Sequence, residues 1–156
     1  MRRYSSIRIL LLASVLLATR SAQATDYFWD QNGAAAGTGG TGTWDTTSSL
    51  WRSPLVTDPL TTWPTTGTNN DAIFGGTAGT VSIDVGGVTA NDITFNTTGY
   101  TVQNNTLTLN GGTTPLVTLG ANIAATINPV IAGSAGLPRS APGWSAPIRW
   151  TSTIWT

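Results

Sequence analysis

The sequence predicts an all-β protein, and within that class it favours a right-handed parallel β-helix of about three coils, with a β-sandwich as the alternative. Three observations carry this prediction. The 156-residue chain contains 18 Gly and neither Lys nor Glu, so it lacks most residues that form surface helices. Apolar residues alternate with Thr, Ser and Asn in short runs, which is the period of a half-buried strand. Clusters of Gly and Asn separate these runs, and no capped amphipathic helix is recognisable after residue 24.

Residues 1–24 have the three parts of a secretory signal. A start with three Arg is followed by an apolar stretch over residues 9–18 and by a small-residue cleavage site that ends at Ala24. The apolar stretch is too short to cross a bilayer, which takes about 20 residues. We therefore predict cleavage after Ala24, export by general secretion and no transmembrane span in the mature chain. An uncleaved anchor and a twin-arginine leader are the alternatives.

Residues 25–71 form an aromatic, Gly-rich and turn-dense N-terminal region. Only short strands fit there, and we expect them around residues 27–29 and 42–45, followed by one at 72–74. The region carries four large aromatic side chains, Trp29, Trp44, Trp51 and Trp63. Because the apolar end of a stacked fold must be shielded from water, we interpret these residues as a cap on the first coil. The alternative is a platform on which the rings stack against sugars.

Residues 72–137 carry the β-strand repeats. The inward positions are predicted to be Val81, Ile83 and Val85, then Ile93 and Phe95, Tyr100 and Val102, Leu107 and Leu109, Val117 and Leu119, and Ile123, Ala125 and Ile127. The inward residues are mostly aliphatic and the turns are rich in Asn and Gly, as expected where one coil stacks on the next. At roughly 20 residues per coil, the region provides about three coils.

Residues 25–137 also contain a series of short phrases in a definite order. They are Gly42-Thr43-Trp44-Asp45, Ser49-Leu50-Trp51, Trp63, Asp71-Ala72-Ile73-Phe74-Gly75-Gly76, Gly87-Val88-Thr89-Ala90-Asn91-Asp92-Ile93-Thr94-Phe95, Gly99-Tyr100-Thr101-Val102 and Leu107-Thr108-Leu109. In this order the chain resembles the autotransporter-associated β-strand repeat proteins. The resemblance implies an exported bacterial passenger, built as a β-helix of such repeats, presented at the cell surface and in some members followed by an outer-membrane barrel.

Residues 138–156 differ in composition from the region before them. They contain three Pro, three Trp and two Arg but neither Asp nor Asn. Because the family continues with further repeats after a phrase like residues 131–137, we interpret this tail as disordered or frameshifted, at the end of a truncated copy. A Pro/Trp-rich terminal cap is the alternative. If the carboxyl end lacks a cap, the last coil exposes strand edges, and we expect self-association there.

The composition excludes several classes of function. Without Cys or His, the chain has no Cys nucleophile, no His base and no zinc site built on these residues. Residues 25–137 hold seven Asp against one Arg, so they lack the clustered cations that bind nucleic acid. Most of the Asp residues lie next to Gly, Asn or Thr in predicted turns, where Asp accepts hydrogen bonds from backbone amides. We interpret Asp30-Gln31-Asn32-Gly33 likewise as a tight turn, because the chain has no Glu to complete a calcium loop.

The sequence therefore predicts an exported, non-enzymatic passenger-type module with a structural or adhesive role at or outside the cell surface. It predicts no catalytic residue, cofactor or metal. Its expected partners are surface glycans or a second copy bound through the open end. The alternative function is a small secreted carbohydrate-binding module that uses the four Trp residues of the N-terminal region.

Overall fold

The computed structural model describes residues 24–31, 33, 35–67, 69–110, 116–133 and 149–150. Every regular element within these ranges is a β-strand, which confirms the all-β class. No helix in the described part is long and apolar enough to cross a membrane. The strands are β1 (Thr25–Trp29), β2 (Gly42–Trp44), β3 (Ser49–Arg52), β4 (Leu60–Thr62), β5 (Asn70–Phe74), β6 (Thr80–Ile83), β7 (Val88–Ala90), β8 (Ile93–Phe95), β9 (Tyr100–Gln103), β10 (Thr106–Leu109), β11 (Val117–Leu119), β12 (Ala125–Ile127), β13 (Val130–Ala132) and β14 (Arg149–Trp150).

The described strands form three sheets. The first sheet has the order β11-β8-β5-β1-β3-β4, the second β14-β12-β9-β6-β2 and the third β13-β10-β7. From β5 to β13 the chain passes through the first, second and third sheets in the same order three times, and neighbouring strands in this part pair in parallel. Paired residues are roughly 20–25 positions apart, as for Ala72 with Ile93 and Tyr100 with Ala125.

The alternation of apolar and polar residues explains how the strands pack. In β8, Ile93 and Phe95 are buried and Thr94 lies half-buried on the opposite face. The register sets Ile93 beside Val117 and Phe95 beside Leu119 of the next strand in the sheet. The inward side chains therefore form columns that run across neighbouring strands, and these columns are the core of residues 72–133.

The beginning of the chain is organised differently. β1 pairs in parallel with β5 but antiparallel with β3, and β3 pairs antiparallel with β4. β3 and β4 thus extend the first sheet beyond β1 with a hairpin, at the end where the stack of parallel strands begins.

The strands predicted around residues 27–29, 42–45 and 72–74 are confirmed as β1, β2 and β5. The predicted runs between Ile93 and Ile127 are confirmed as β8 to β12. Alternation alone did not predict β3, β4, β7 and β13.

One predicted inward residue is wrong. Val85 is 84% exposed. β6 ends at Ile83, and the Gly87 amide donates to the Asp84 carbonyl to close a turn in which Gly87 has a φ of +70°. The turn begins before Val85, so the alternation does not extend to this residue. Ile123, also predicted inward, lies before β12 and is only partly buried.

The predicted leader and tail fall largely outside the described residues. Of residues 1–24, the structure describes Ala24 alone. Of residues 138–156, it describes Arg149–Trp150, whose backbone pairs in parallel with Thr126 and Ile127 of β12.

Candidate functional site

The four Trp residues of the N-terminal region lie on different elements and meet inside the fold. Trp29 ends β1, Trp44 ends β2, Trp51 lies in β3 and Trp63 follows β4. Each of the four is 0–1% exposed. A buried Trp removes about 150–250 Å² from water, so these rings fill the core at this end of the sheets. Together with Phe74 we call them the aromatic cluster.

The rings of the aromatic cluster pack directly against one another. The centroid of Trp51 lies 4.6 Å from that of Trp63 and 5.0 Å from that of Trp29. Trp44 meets Trp63 edge to face at 4.9 Å, and Phe74 lies 5.6 Å from Trp44. Edge-to-face and tilted contacts at these distances contribute about 0.5–1.5 kcal/mol per pair beyond the burial of area.

The indole N–H groups divide into two kinds. Trp29 Nε1 donates to the Gly40 carbonyl at 2.8 Å, and Trp63 Nε1 donates to the Thr89 carbonyl in β7 at 3.0 Å. The second bond covers part of an edge strand of the third sheet. Trp44 Nε1 and Trp51 Nε1 are buried and have no hydrogen-bond acceptor among the described residues. Each such group costs about 1–3 kcal/mol, which the ring packing must outweigh.

This placement bears on the two roles predicted for these residues. A cap needs rings that fill the end of the core, and all four rings do so. A sugar platform needs an exposed ring face, and at 0–1% exposure none of the four presents one. The packing therefore favours the capping role, while the stacking role requires the cluster to open.

The aromatic cluster continues into the repeats through Phe74. Its ring stacks on Phe95 of the next strand, with centroids 5.1 Å apart and planes at 17°. Phe95 in turn lies 6.1 Å from Tyr100. The Tyr100 hydroxyl lies 2.6 Å from the Gly75 carbonyl and 2.9 Å from the Thr77 carbonyl. Burial raises the pKa of Tyr100, so the hydroxyl remains a donor at neutral pH.

A buried ion pair lies on the other face of the first sheet. Arg52 Nε donates to Asp30 Oδ2 at 2.6 Å, and the two side chains are 9% and 0% exposed. The guanidinium also donates to the Asp58 carbonyl at 2.6 Å and to the Gly33 carbonyl at 3.1 Å. Arg52 therefore connects β3 to two loops. Sequence reasoning missed this pair, although Arg52 is the single cation in residues 25–137 and is thus the one available partner for a buried acid there.

Asp30 serves as an acceptor for the loop that follows it. Its carboxylate receives hydrogen bonds from the Thr38 hydroxyl at 2.6 Å and from the amides of Gly37 at 3.1 Å and Gly33 at 3.3 Å. Burial acts to raise the pKa of Asp30, but the hydrogen bonds from Thr38, Arg52 and Gly33 outweigh it and hold the pKa below its usual value. Asp30 thus accepts hydrogen bonds from backbone amides of this loop, the use expected of Asp in a turn.

Three further acidic residues lie near the amino-terminal ends of neighbouring strands of the first sheet. Asp26 of β1 lies beside Asp71 of β5, and Asp71 Oδ1 accepts from the Asp92 amide at 3.1 Å and from Asn91 Nδ2 at 2.7 Å. Asp92 Oδ1 accepts from the Leu116 amide at 2.9 Å. Burial, with the charge of Asp71 adding to it, raises the pKa of Asp26 and of Asp92. The Asp71 and Asp92 carboxylates therefore connect successive turns of the chain along this sheet.

These observations define an all-β module with parallel sheets and a buried aromatic cluster at one end of the sheets. In sequence, the chain is similar to the adhesin BmaC autotransporter of Brucella suis biovar 1 (strain 1330), with 41% identity over 141 residues. The alignment takes in 88% of this chain and 4% of the adhesin, so the chain spans a small part of that protein's length. No protein-family model matches the chain, and no solved structure matches it. The chain is thus related in sequence to a segment of an autotransporter adhesin.

Proposed function

We propose that this chain is an exported, non-enzymatic passenger-type module with an adhesive or structural role at or outside the cell surface. The observation that carries the proposal is the similarity to an autotransporter adhesin over 88% of the chain. The signal pattern of residues 1–24, with its cleavage site at Ala24, supplies the route of export.

In this proposal residues 25–137 form a right-handed parallel β-helix of the autotransporter-associated repeat type. Support comes from the three sheets that the chain visits in a constant order, with paired residues roughly 20–25 positions apart. Connections between parallel strands of one sheet are right-handed in about 98% of cases. Residues 25–71 act as the cap and residues 72–137 as the repeats.

The acidic side chains support a structural role and not a catalytic one. Asp30, Asp45 and Asp92 accept hydrogen bonds from backbone amides. Asp71 likewise accepts from the Asp92 amide and the Asn91 side chain, which lie just before β8. Carboxylates used in this way fix turns and join strands.

The carboxyl end of the stack is where we propose that the module contacts further repeats or a second copy. At this end of the stack, the described strands β11, β13 and β14 each have a partner on one side only. A parallel strand with a free edge pairs readily with another chain. Self-association at this end would raise the apparent mass with concentration.

The experiment starts from the full chain expressed with its own leader in a Gram-negative host. We expect the exported product to begin at Thr25, and beads coated with it to attach to epithelial cells several-fold more than beads coated with the heat-denatured chain. Product that keeps Met1 and stays in the cytoplasm, or beads that attach no better than the denatured control, would contradict the proposal. Release of reducing sugar from polysaccharides by the purified product would contradict the non-enzymatic part.

A further inference from the structure

The outer face of the first sheet departs from the pattern of the repeats at one place. Thr94 of β8 and Thr118 of β11 lie beside each other in register on this outer face. In β5 and β1, the next two strands of the sheet, the same row holds Ile73 and Phe28, which pair with each other. Both are half-buried although their neighbours along the strand point into the core. An aromatic and an aliphatic side chain thus lie between the Thr residues of β8 and β11 on one side and Arg52 of β3 on the other.

A cavity of about 280 Å³ opens over this apolar pair. The loop between β3 and β4 contributes Val56, which is 39% exposed. Among the described residues, the lining contains no charged side chain, and it includes Phe28, Val56, Ile73, Asn96 and the backbone of Gly75 and Gly76. Arg52, which lies opposite Phe28 in the sheet, is already paired with Asp30. The cavity therefore combines one aromatic face, an aliphatic wall and an amide.

The walls of the cavity are held by hydrogen bonds that do not depend on an occupant. The Gly40 amide donates to the Thr77 carbonyl at 2.7 Å, and the Thr77 amide donates to the Thr38 carbonyl at 2.9 Å. From the core side, the Tyr100 hydroxyl reaches the Gly75 carbonyl at 2.6 Å. A preformed wall reduces the entropy lost when a ligand binds.

Gly76 lies in the cavity wall where two loops approach each other closely. It has a φ of +66°, and a Cβ at this position would meet the carbonyl of Gly37. The position therefore requires glycine, which contributes only backbone to the wall.

We propose that this cavity is a binding site for an uncharged carbohydrate, with Phe28 as the stacking face and Asn96 as the polar contact. The volume lies just below the roughly 300–1,000 Å³ of small-molecule pockets and suits about one or two sugar rings. The apolar face of a sugar ring packs on an aromatic ring, and its hydroxyls bond to an amide and to backbone groups. This site rests on the proposed adhesive function and names the ligand class for it.

Charge and strand pairing argue against two other ligands, an anionic glycan and a peptide that adds a strand. Residues 25–137 hold seven Asp against one Arg, which disfavours anionic glycans. A peptide that adds a strand needs an unpaired edge, whereas β1 and β5 under the cavity are already paired with each other. A neutral saccharide needs neither a counter-charge nor an edge.

The test is a glycan array with neutral and sialylated oligosaccharides, probed with the exported full chain. The neutral oligosaccharide with the strongest signal is then titrated by calorimetry. We expect Phe28→Ala to weaken its affinity by about tenfold or more, and Ile73→Thr, which introduces the residue found at position 94, to weaken it several-fold. The matched control is Leu55→Ala, because Leu55 lies on the same loop as Val56, is 60% exposed and does not line the cavity. Its affinity should equal that of the parent.

Thermal melting accompanies each titration, so that a loss of fold in Phe28→Ala leaves Ile73→Thr as the deciding variant. No binding of any neutral glycan, binding of sialylated glycans alone, or unchanged affinity in folded Ile73→Thr and Phe28→Ala would overturn the site. Beads coated with Phe28→Ala that still attach to cells would overturn the site and leave the adhesive function standing. Parent beads that do not attach would instead remove the adhesive function itself.

Discussion

The N-terminal region and the repeats fill the core with different side chains. In the repeats, Val102 lies between Val81 and Ile127 in the second sheet, so this inward residue has an aliphatic neighbour on either side. In residues 25–71 the core consists of Trp rings contributed by strands that run in both directions. A strand inside a sheet can use an aliphatic side chain, because a strand on either side covers it. At the N-terminal end of the sheets, large Trp rings occupy the core instead.

The polar groups show the same contrast. In the repeats, side chains bridge one strand to the next, as when Asn105 Nδ2 donates to the Ile83 carbonyl at 2.7 Å. In the N-terminal region, one ion pair and its hydrogen bonds connect a strand to two loops. The repeats can therefore lose one bridge with a local effect, whereas the end of the stack depends on a few groups with many contacts.

The largest expected effect is the loss of a ring from the aromatic cluster. Trp51→Ala should lower the free energy of unfolding by about 3–5 kcal/mol, because Trp51 is fully buried and touches Trp29, Trp44 and Trp63. Urea denaturation followed by far-UV circular dichroism measures this change in the free energy of unfolding. Leu55→Ala, an exposed substitution in the same region, should change the value by less than about 0.5 kcal/mol.

An unchanged melting temperature in Trp51→Ala together with a loss of glycan binding would reverse the assignment. It would mean that the ring serves as a platform for sugars and not as part of the cap. The end of the stack would then need another explanation for its stability.

The second-largest expected effect is the loss of the Asp30–Arg52 ion pair. Arg52→Met should cost about 2–3 kcal/mol, because it leaves the Asp30 carboxylate buried without its cation. The loss lies below the usual 3–5 kcal/mol for breaking a buried pair, since Thr38 and two backbone amides still donate to Asp30. Urea denaturation at neutral pH measures it.

The control is the double variant Asp30→Asn with Arg52→Met, which removes both charges. It should be more stable than Arg52→Met alone, because no uncompensated charge remains. A double variant less stable than Arg52→Met would show that the Asp30 carboxylate stabilises the loop through Thr38 and the Gly33 and Gly37 amides even without its cation.

A smaller effect is expected from the same kind of deletion in the repeats. Ile93→Val removes one methylene from a column in which Ala72 and Val117 are the neighbours, and should cost about 0.5–1.5 kcal/mol. Thr94→Ser on the outer face is the matched control, with less than about 0.5 kcal/mol expected. Equal losses for Ile93→Val and Trp51→Ala in urea denaturation would remove the difference between the two regions.

The strands of the repeats were predictable because one face of each is buried and the other is polar. Val117–Leu119 and Ile93–Phe95 show this alternation over three residues, and the structure follows it. The alternation fails where both faces of a strand are covered. In β3, Trp51 and Arg52 are consecutive and both buried, because Trp51 enters the core while Arg52 lies under the loops of the outer face.

The candidate sites were predictable to a lesser extent. The aromatic residues were recognisable as a group, but the sequence did not distinguish a buried cluster from an exposed platform, since both need the same residues. The Asp30–Arg52 pair joins residues 22 positions apart and depends on the hairpin folding back beside β1. The cavity over Phe28 and Ile73 depends on a register between strands that no local pattern specifies.

The smallest expected effect tests the acidic side chains that join the strands of the first sheet. Burial and the charge of Asp71 raise the pKa of Asp92, so folding favours its protonated form. The stabilisation from this group is complete below its ordinary pKa of 3.8 and is lost as the pH rises through the raised value. Asp92→Asn should therefore match the parent in stability below that pKa and exceed it at pH 7 by less than about 1 kcal/mol.

The Asn side chain can still accept from the Leu116 amide through Oδ1, so the substitution removes the charge and keeps this bond. Thermal melting between pH 3 and pH 7 measures the difference. Asp84→Asn, a substitution at an exposed position, is the control, and less than about 0.5 kcal/mol is expected for it at pH 7. Lower stability of Asp92→Asn than of the parent at pH 7 would show that the charge of Asp92 holds the strands together through its partners. The acids of the first sheet would then act as Asp30 does at the N-terminal end, and the electrostatic contrast between the two regions would disappear.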